Sequence, residues 1–216
     1  MRLTAAAFIR RVKMSIAPPL CVRGMAEWQP ELFSTSVLIP CLRVAQEQVG
    51  AVRKPLENMS LKMVGLRPVQ TCPDFPAKRL VLLSPSHVTM FKDIVKEPSA
   101  EACLSSLDIT VNDFTVKSFD LTVQNWTPHE LIKAILPEGE EGVSGFSIIG
   151  HIIHLNLKEH LEPFKDVIGE ALLLTKQIRT VVNKSSTIDN TYRNFAMELL
   201  AGEEDFQVSC ALYADN

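Results

Sequence analysis

The 216-residue chain contains no run approaching the ~18 consecutive apolar residues that a membrane-crossing helix needs, so no segment reads as a bilayer span. Its five cysteines, Cys21, Cys41, Cys72, Cys103 and Cys210, form no CxxC pair. An odd, scattered set excludes a disulfide framework and a structural zinc site, and reads as reduced thiols. A phosphate cradle is missing too. Gly139-x-x-Gly142-x-x-Gly145 precedes an expected strand instead of joining a strand to a helix. Ser144-x-Phe146 makes no nucleophile elbow, and no Ser/His/Asp set has a telling spacing. His151 and His154 stand three apart on an expected strand and so point to opposite faces, while His160 lies past its end. Structural histidines are expected, and no metal.

Acids are absent from residues 1–26, which hold Arg2, Arg10, Arg11, Lys13 and Arg23. The whole chain carries −3, so the remainder is net −8. An Arg- and Ala-rich start with one apolar face (Leu3, Ala7, Phe8, Val12) reads as a mitochondrial transit peptide over 1–26. Met14 and Met25 offer internal starts that would leave a product in the cytoplasm and nucleus.

What is present is a mixed α/β pattern. Residues 27–78 are broken by six prolines, with a strand expected at Ser36–Leu42 and a broken helix at Gln46–Met59. Arg79–Leu83 reads as a buried strand, His87–Val95 and Ser99–Leu107 as helices with Ser99 capping the second, and Thr115–Val123 as a period-two strand. Thr127-Pro128-His129-Glu130 carries a capping box, with Leu131, Ile132 and Ile135 turned inward and His129 solvated. Phe146–Leu157 reads as one strand with Gly150 a bulge or close-packing point. Lys158–Lys176 reads as a helix whose stripe is Phe164, Val167, Ile168, Ala171 and Leu172. Strands at Ile178–Asn183 and Phe195–Leu200 complete a βαβ-like unit. Basic pairs stand at Arg53-Lys54, Lys62 and Arg67, Lys78-Arg79, and Lys176, Arg179 and Lys184; each is weighed as a solvated face or an RNA contact.

A longer set of ordered motifs is more specific. Leu136-Pro137-Glu138-Gly139 and Ser144 through Leu157 are followed by Pro163-Phe164-Lys165, Val167-Ile168-Gly169, Val182-Asn183-Lys184, Ile188-Asp189-Asn190, Tyr192-Arg193-Asn194-Phe195 and Met197 through Glu203. Together they resemble the middle domain of eukaryotic tRNA (guanine(37)-N1)-methyltransferases, well over residues 127–206 and loosely over the preceding hundred.

The resemblance implies an enzyme class that methylates N1 of the guanosine beside the anticodon, using S-adenosylmethionine, with tRNA bound by its body and anticodon loop. It divides the chain into the presequence 1–26, a tRNA-contacting α/β region 27–110, a βαβ-containing middle domain 111–206 and a divergent tail 207–216. No Rossmann methyltransferase domain is expected in the chain, which reads as truncated, inactive alone, monomeric and without a cofactor of its own. Arg193 corresponds to the family's active-site arginine; the plainer reading pairs it with Glu198 or Asp189. Two alternatives stand beside this one: a non-catalytic tRNA-binding or regulatory module, and a fragment of the related aminocarboxypropyl transferase of wybutosine synthesis. The expected location is the mitochondrial matrix.

Overall fold

The computed structural model describes residues 16–140, 142–143, 145–188 and 195–207. Most of the expected presequence, Arg193, and residues 208–216 of the tail lie outside the described residues. Among the described residues no helix is long and apolar enough to cross a membrane. The chain divides into two compact units, one of Met1–Ala17 and Thr35–Leu121, the other of Pro18–Ser34 and Thr122–Asn216.

The first unit is built on strands β1 (Thr35–Ala45), β2 (Val69–Thr71), β3 (Lys78–Leu82) and β4 (Phe114–Leu121). They form one antiparallel sheet in the order β2-β3-β1-β4, with Cys41 of β1 opposite Leu82 on one side and Thr115 on the other. Side chains alternate across a strand, and both faces here are apolar. Ile39, Cys41, Leu80 and Leu82 join one buried cluster; Leu42, Val44 and Val81 join the other. Burial pushes the Cys41 thiol up to about 12. Cys21, Cys41, Cys72 and Cys103 are all free thiols.

Helices α1 (Val49–Arg53), α2 (Phe91–Ile94) and α3 (Pro98–Ser106) supply the second cluster. The broken helix expected at 46–59 is α1 between two 3-10 turns, Gln46–Gln48 and Glu57–Met59. The helix expected at His87–Val95 shrinks to α2. The Asp93 carboxylate accepts from the N–H of Thr89 (3.0 Å), its hydroxyl (2.9 Å) and the N–H of Met90 (3.2 Å), and that cluster sets the helix start at Phe91. Ser99 does not cap α3. Pro98 takes the first helical position, where its missing N–H is no loss, and Glu97 precedes it. Ion pairs Lys78–Asp113 (2.8 Å) and Lys117–Asp74 (2.5 Å) tie the β2–β3 connection to β4 and its approach, while Arg43 lies 5.2 Å over the Phe75 ring.

The second unit begins early. Val22 is fully buried, the N–H of Gly24 donates to Ile135 O at 2.7 Å, and the Trp126 indole donates to Phe33 O at 3.1 Å. Residues 18–34 are therefore part of this core. The expected capping box is present at α4 (Pro128–Ile135): the N–H of Glu130 donates to Thr127 Oγ1 at 3.3 Å, and the N–H of Thr127 donates to Glu130 Oε2 at 2.8 Å. Leu131, Ile132 and Ile135 are buried and His129 is exposed, as the pattern implies.

The apolar stretch expected as one strand is a hairpin, β5 (Phe146–Ile149) and β6 (Ile152–Leu155), in register Ile149 opposite Ile152. Gly150 turns it. Its φ of 59° suits the first central position of a two-residue hairpin turn, which side-chain-bearing residues rarely adopt. The expected helix 158–176 is likewise shorter. A 3-10 stretch, Glu159–Phe164, contains Pro163, which has no N–H for a helical bond, and α5 (Lys165–Leu173) follows. Then come β7 (Thr180–Ile188) and β8 (Phe195–Gly202). The sheet order is β5-β6-β7-β8; β6 and β7 are parallel, with α5 as their crossover, and the other pairs are antiparallel.

Two predictions follow from this packing. A Cβ at Gly169 would sit 2.8 Å from Leu200 Cβ and 3.2 Å from Leu200 backbone carbon. Gly169→Ala is expected to destabilise by ~1–3 kcal/mol in urea unfolding, whereas Gly50→Ala, in open space on α1, gains ~0.5 kcal/mol from helix propensity. Equal midpoints for the two variants would contradict the packing. The Lys96 ammonium, helped by hydrogen bonds from Thr89 and Met90, holds the Asp93 carboxyl well below the usual carboxylate range. A depressed native value gives stability that is complete above the unfolded-state pKa of ~3.9 and is lost as pH falls through the native value. Melting curves should therefore drop on acidification below about pH 4, and Asp93→Asn should flatten that drop while lowering the melting temperature at pH 7. An unchanged acid slope would remove Asp93 from the account.

Candidate nucleic-acid interface

Helix α5 presses on β8 through Gly169, whose position meets Leu200 and Ala201, and this contact holds the β7–β8 hairpin. Several motif residues serve that hold. Lys165 pairs with Glu198 at 2.5 Å, and the Glu198 hydrogen bond holds the Lys165 ammonium above its ordinary value. Asn183 is buried. Its Oδ1 accepts from the N–H of Leu157 at 3.1 Å and its Nδ2 donates to Glu162 at 3.3 Å, joining the end of β6 to the crossover. Gly202 has φ +88°, and a Cβ there would meet Arg179 O at 2.0 Å.

At the opposite end of the hairpin, Ile188 pairs with Phe195, and Arg193 belongs to the connection between them, outside the described residues. Of the two carboxylates offered as its plainer partners, Glu198 is engaged by Lys165, and Asp189 lies outside the described residues. Sequence reasoning missed Thr180. It is fully buried, and its hydroxyl stands 2.9 Å from Glu203 O, closing the hairpin base; a lone Thr before a Val pair gave no signal.

The basic patches sort differently from their sequence grouping. Arg53, Lys54 and Lys62 line one open groove of the first unit, about 680 Å³, with Glu57 the lone acid in its lining among the described residues and Leu56, Leu61 and Leu66 among its walls. Lys78 and Arg79 are used as ties, to Asp113 and to Gln46 Oε1 at 2.7 Å. Arg179 pairs with Asp205 at 3.0 Å, beside the His151 turn. Lys184 is five residues further along β7, roughly 16 Å at the rise of a strand, so Arg179 and Lys184 do not make one patch.

The histidines also stand apart. His151 Nε2 is 3.3 Å from Asp205, His154 sits on β6, and His160 pairs with Glu140 at 3.2 Å in a polar cavity of about 490 Å³ that His129 and Lys158 also line. Among the described residues no three metal-binding side chains converge.

Comparison with known proteins supplies the context. The family model described as the TYW2 N-terminal domain matches residues 129–205. A Drosophila pseudoobscura pseudoobscura protein named tRNA (guanine(37)-N(1))-methyltransferase is 41% identical over 194 residues, covering 89% of this chain and 42% of its own length. The Homo sapiens protein of the same name is 38% identical over 190 residues, covering 88% of this chain and 37% of its own. Among solved structures, a Pyrococcus abyssi Trm5b crystal structure covers 76% of this chain and 43% of its own, at 18% identity and a TM-score of 0.39. The chain thus spans about two-fifths of the length of the curated relatives it matches. Over the stretch that it shares with them, spanning both compact units, this chain is a member of the eukaryotic tRNA (guanine(37)-N1)-methyltransferase family.

Proposed function

We propose that this chain is the tRNA-holding portion of a tRNA (guanine(37)-N1)-methyltransferase, and that it presents the target guanine while a further part of the enzyme delivers the methyl group. The observation that carries this reading is the 41% identity over 194 residues, which takes in both units and not the motif region alone. In the first unit, the groove lined by Arg53, Lys54 and Lys62 suits phosphates of the tRNA body, where binding gains from counterion release. In the second unit, the hairpin connection supplies Arg193. Guanine N1 is a poor nucleophile while protonated, and loss of its proton moves negative charge toward O6. A fixed guanidinium there stabilises the charge as it grows in the transition state. The base must leave its stack to expose N1.

S-adenosylmethionine is the methyl donor that the family implies, and the described residues do not fit it. A donor-binding turn joins a strand to a helix through glycine. Here β6 runs into its crossover through Asn156-Leu157-Lys158, and β3 is followed by Leu83-Ser84-Pro85. The donor is assigned to sequence that the relatives have beyond the shared stretch.

Two outcomes test the reading. The chain should bind unmodified tRNA with a salt-dependent affinity, and joint replacement of Arg53, Lys54 and Lys62 by Gln should lower the slope of log K against log salt by up to about 3, since each phosphate contact contributes ~0.9. An unchanged slope would remove the groove from the interface. The chain alone should transfer no methyl group. Grafted into the Drosophila relative in place of its matching segment, it should restore transfer, and Arg193→Ala should then slow single-turnover transfer by ~10²–10³. A full-rate Arg193→Ala chimera would end the proposed role.

A further inference from the structure

The face of the second unit's sheet turned away from α5 carries a row that register places abreast: Ser147, His154, Val182 and Leu199. Beyond it, Lys184 stands opposite Met197. A cavity of about 330 Å³ opens there, lined by Phe146, Ser147, His154, Asn156, Lys184 and Met197 among others, with no carboxylate in its lining among the described residues. Met197 and Phe146 are half-exposed at 50% and 46%. Among the described residues, neither the His154 ring, the Asn156 amide nor the Ser147 hydroxyl has a side-chain hydrogen-bond partner.

The lining combines two apolar walls, three neutral hydrogen-bonding groups and a cation. An acidic peptide would need more than one cation, and a metal ion would need carboxylates or a convergent donor set. A nucleobase fits better: its faces are apolar, its edge offers paired donors and acceptors of the kind an Asn amide matches, and the phosphate joined to it suits a lysine. The volume lies at the low end of ligand pockets, which run ~300–1,000 Å³. One base fills it. The Lys184–Met197 rung belongs to the same hairpin that carries Arg193, four residues before β7 ends at Ile188.

We propose that this cavity is a second nucleobase subsite, which receives an unstacked base of the RNA loop next to the guanine assigned to Arg193. The proposal rests on the tRNA-holding reading above. With the target base drawn out of the stack, its neighbour loses a stacking partner; Met197 and Phe146 would replace that partner while Asn156 and His154 meet its edge.

The test titrates the 216-residue chain with an anticodon stem-loop RNA carrying 2-aminopurine at one loop position at a time. In the wild type, the fluorescence should change at one position beside the target guanine. Met197→Glu and His154→Ala, both on the sheet surface and checked for fold by circular dichroism, should each weaken binding by at least about fivefold, the lower range for losing one base contact, and erase that change. Lys184→Gln should lower the salt slope by ~0.7, the single-strand value for one phosphate. If the wild type binds the stem-loop but all three variants match it in affinity, fluorescence and slope, the subsite is refuted and the face belongs to a protein contact, with the tRNA-holding role intact. If the wild type binds neither stem-loop nor tRNA, both readings fall together.

Discussion

The second unit depends on how closely α5 can approach β8. At Gly169 the helix comes near enough to Leu200 and Ala201 that one added methyl group would overlap the strand. That approach sets the height of α5 over the sheet, and through the crossover it sets the parallel pairing of β6 with β7. The polar ties follow from the same spacing. Lys165, on the first turn of α5, reaches Glu198, and Asn183 can satisfy both the end of β6 and Glu162 because the crossover lies directly against β7.

Charge in this chain is spent unevenly. A net acidic body would repel RNA if its charges were spread uniformly. Instead several cations are neutralised in place: Lys78 by Asp113, Lys117 by Asp74, Lys96 by Asp93, Lys165 by Glu198 and Arg179 by Asp205. These pairs hold loops and strand ends. Among the described residues, the groove that Arg53, Lys54 and Lys62 line has one acid in its lining, Glu57. Local composition of a groove, and not the total, decides whether a polyanion can approach it.

How much of this was legible beforehand depended on whether the signal was local. The Thr127 box was readable because its partners lie three residues apart, and the α5 stripe because its period is its own evidence. Phe146–Leu157 misled because both halves are apolar and Gly150 is compatible with a bulge as well as with a turn; only the pairing of Ile149 with Ile152 separates the two. The helix expected from His87 failed because the Asp93 carboxylate collects the N–H groups of Thr89 and Met90, a local cap that apolar periodicity does not reveal and that a Met at the cap position disguises. The basic pairs looked alike in sequence, yet one became a groove and another became ties, since the positions of Asp113 and Gln46 are set by the fold. Arg193 was visible only through family resemblance; no spacing of charges distinguished it.

The chain path has a consequence for how the protein is made. The second unit takes Pro18–Ser34 before the sheet of the first unit begins and resumes only at Thr122, with Val22 buried and Trp126 donating to Phe33 across that interval. During synthesis the sheet of the first unit can close as soon as β4 has left the ribosome. The early segment of the second unit must wait for partners encoded a hundred residues later, and Val22 and Phe33 remain exposed to solvent or chaperone until then. A protease acting in that interval would meet residues 18–34 unfolded, whereas after completion it would meet them as part of a core.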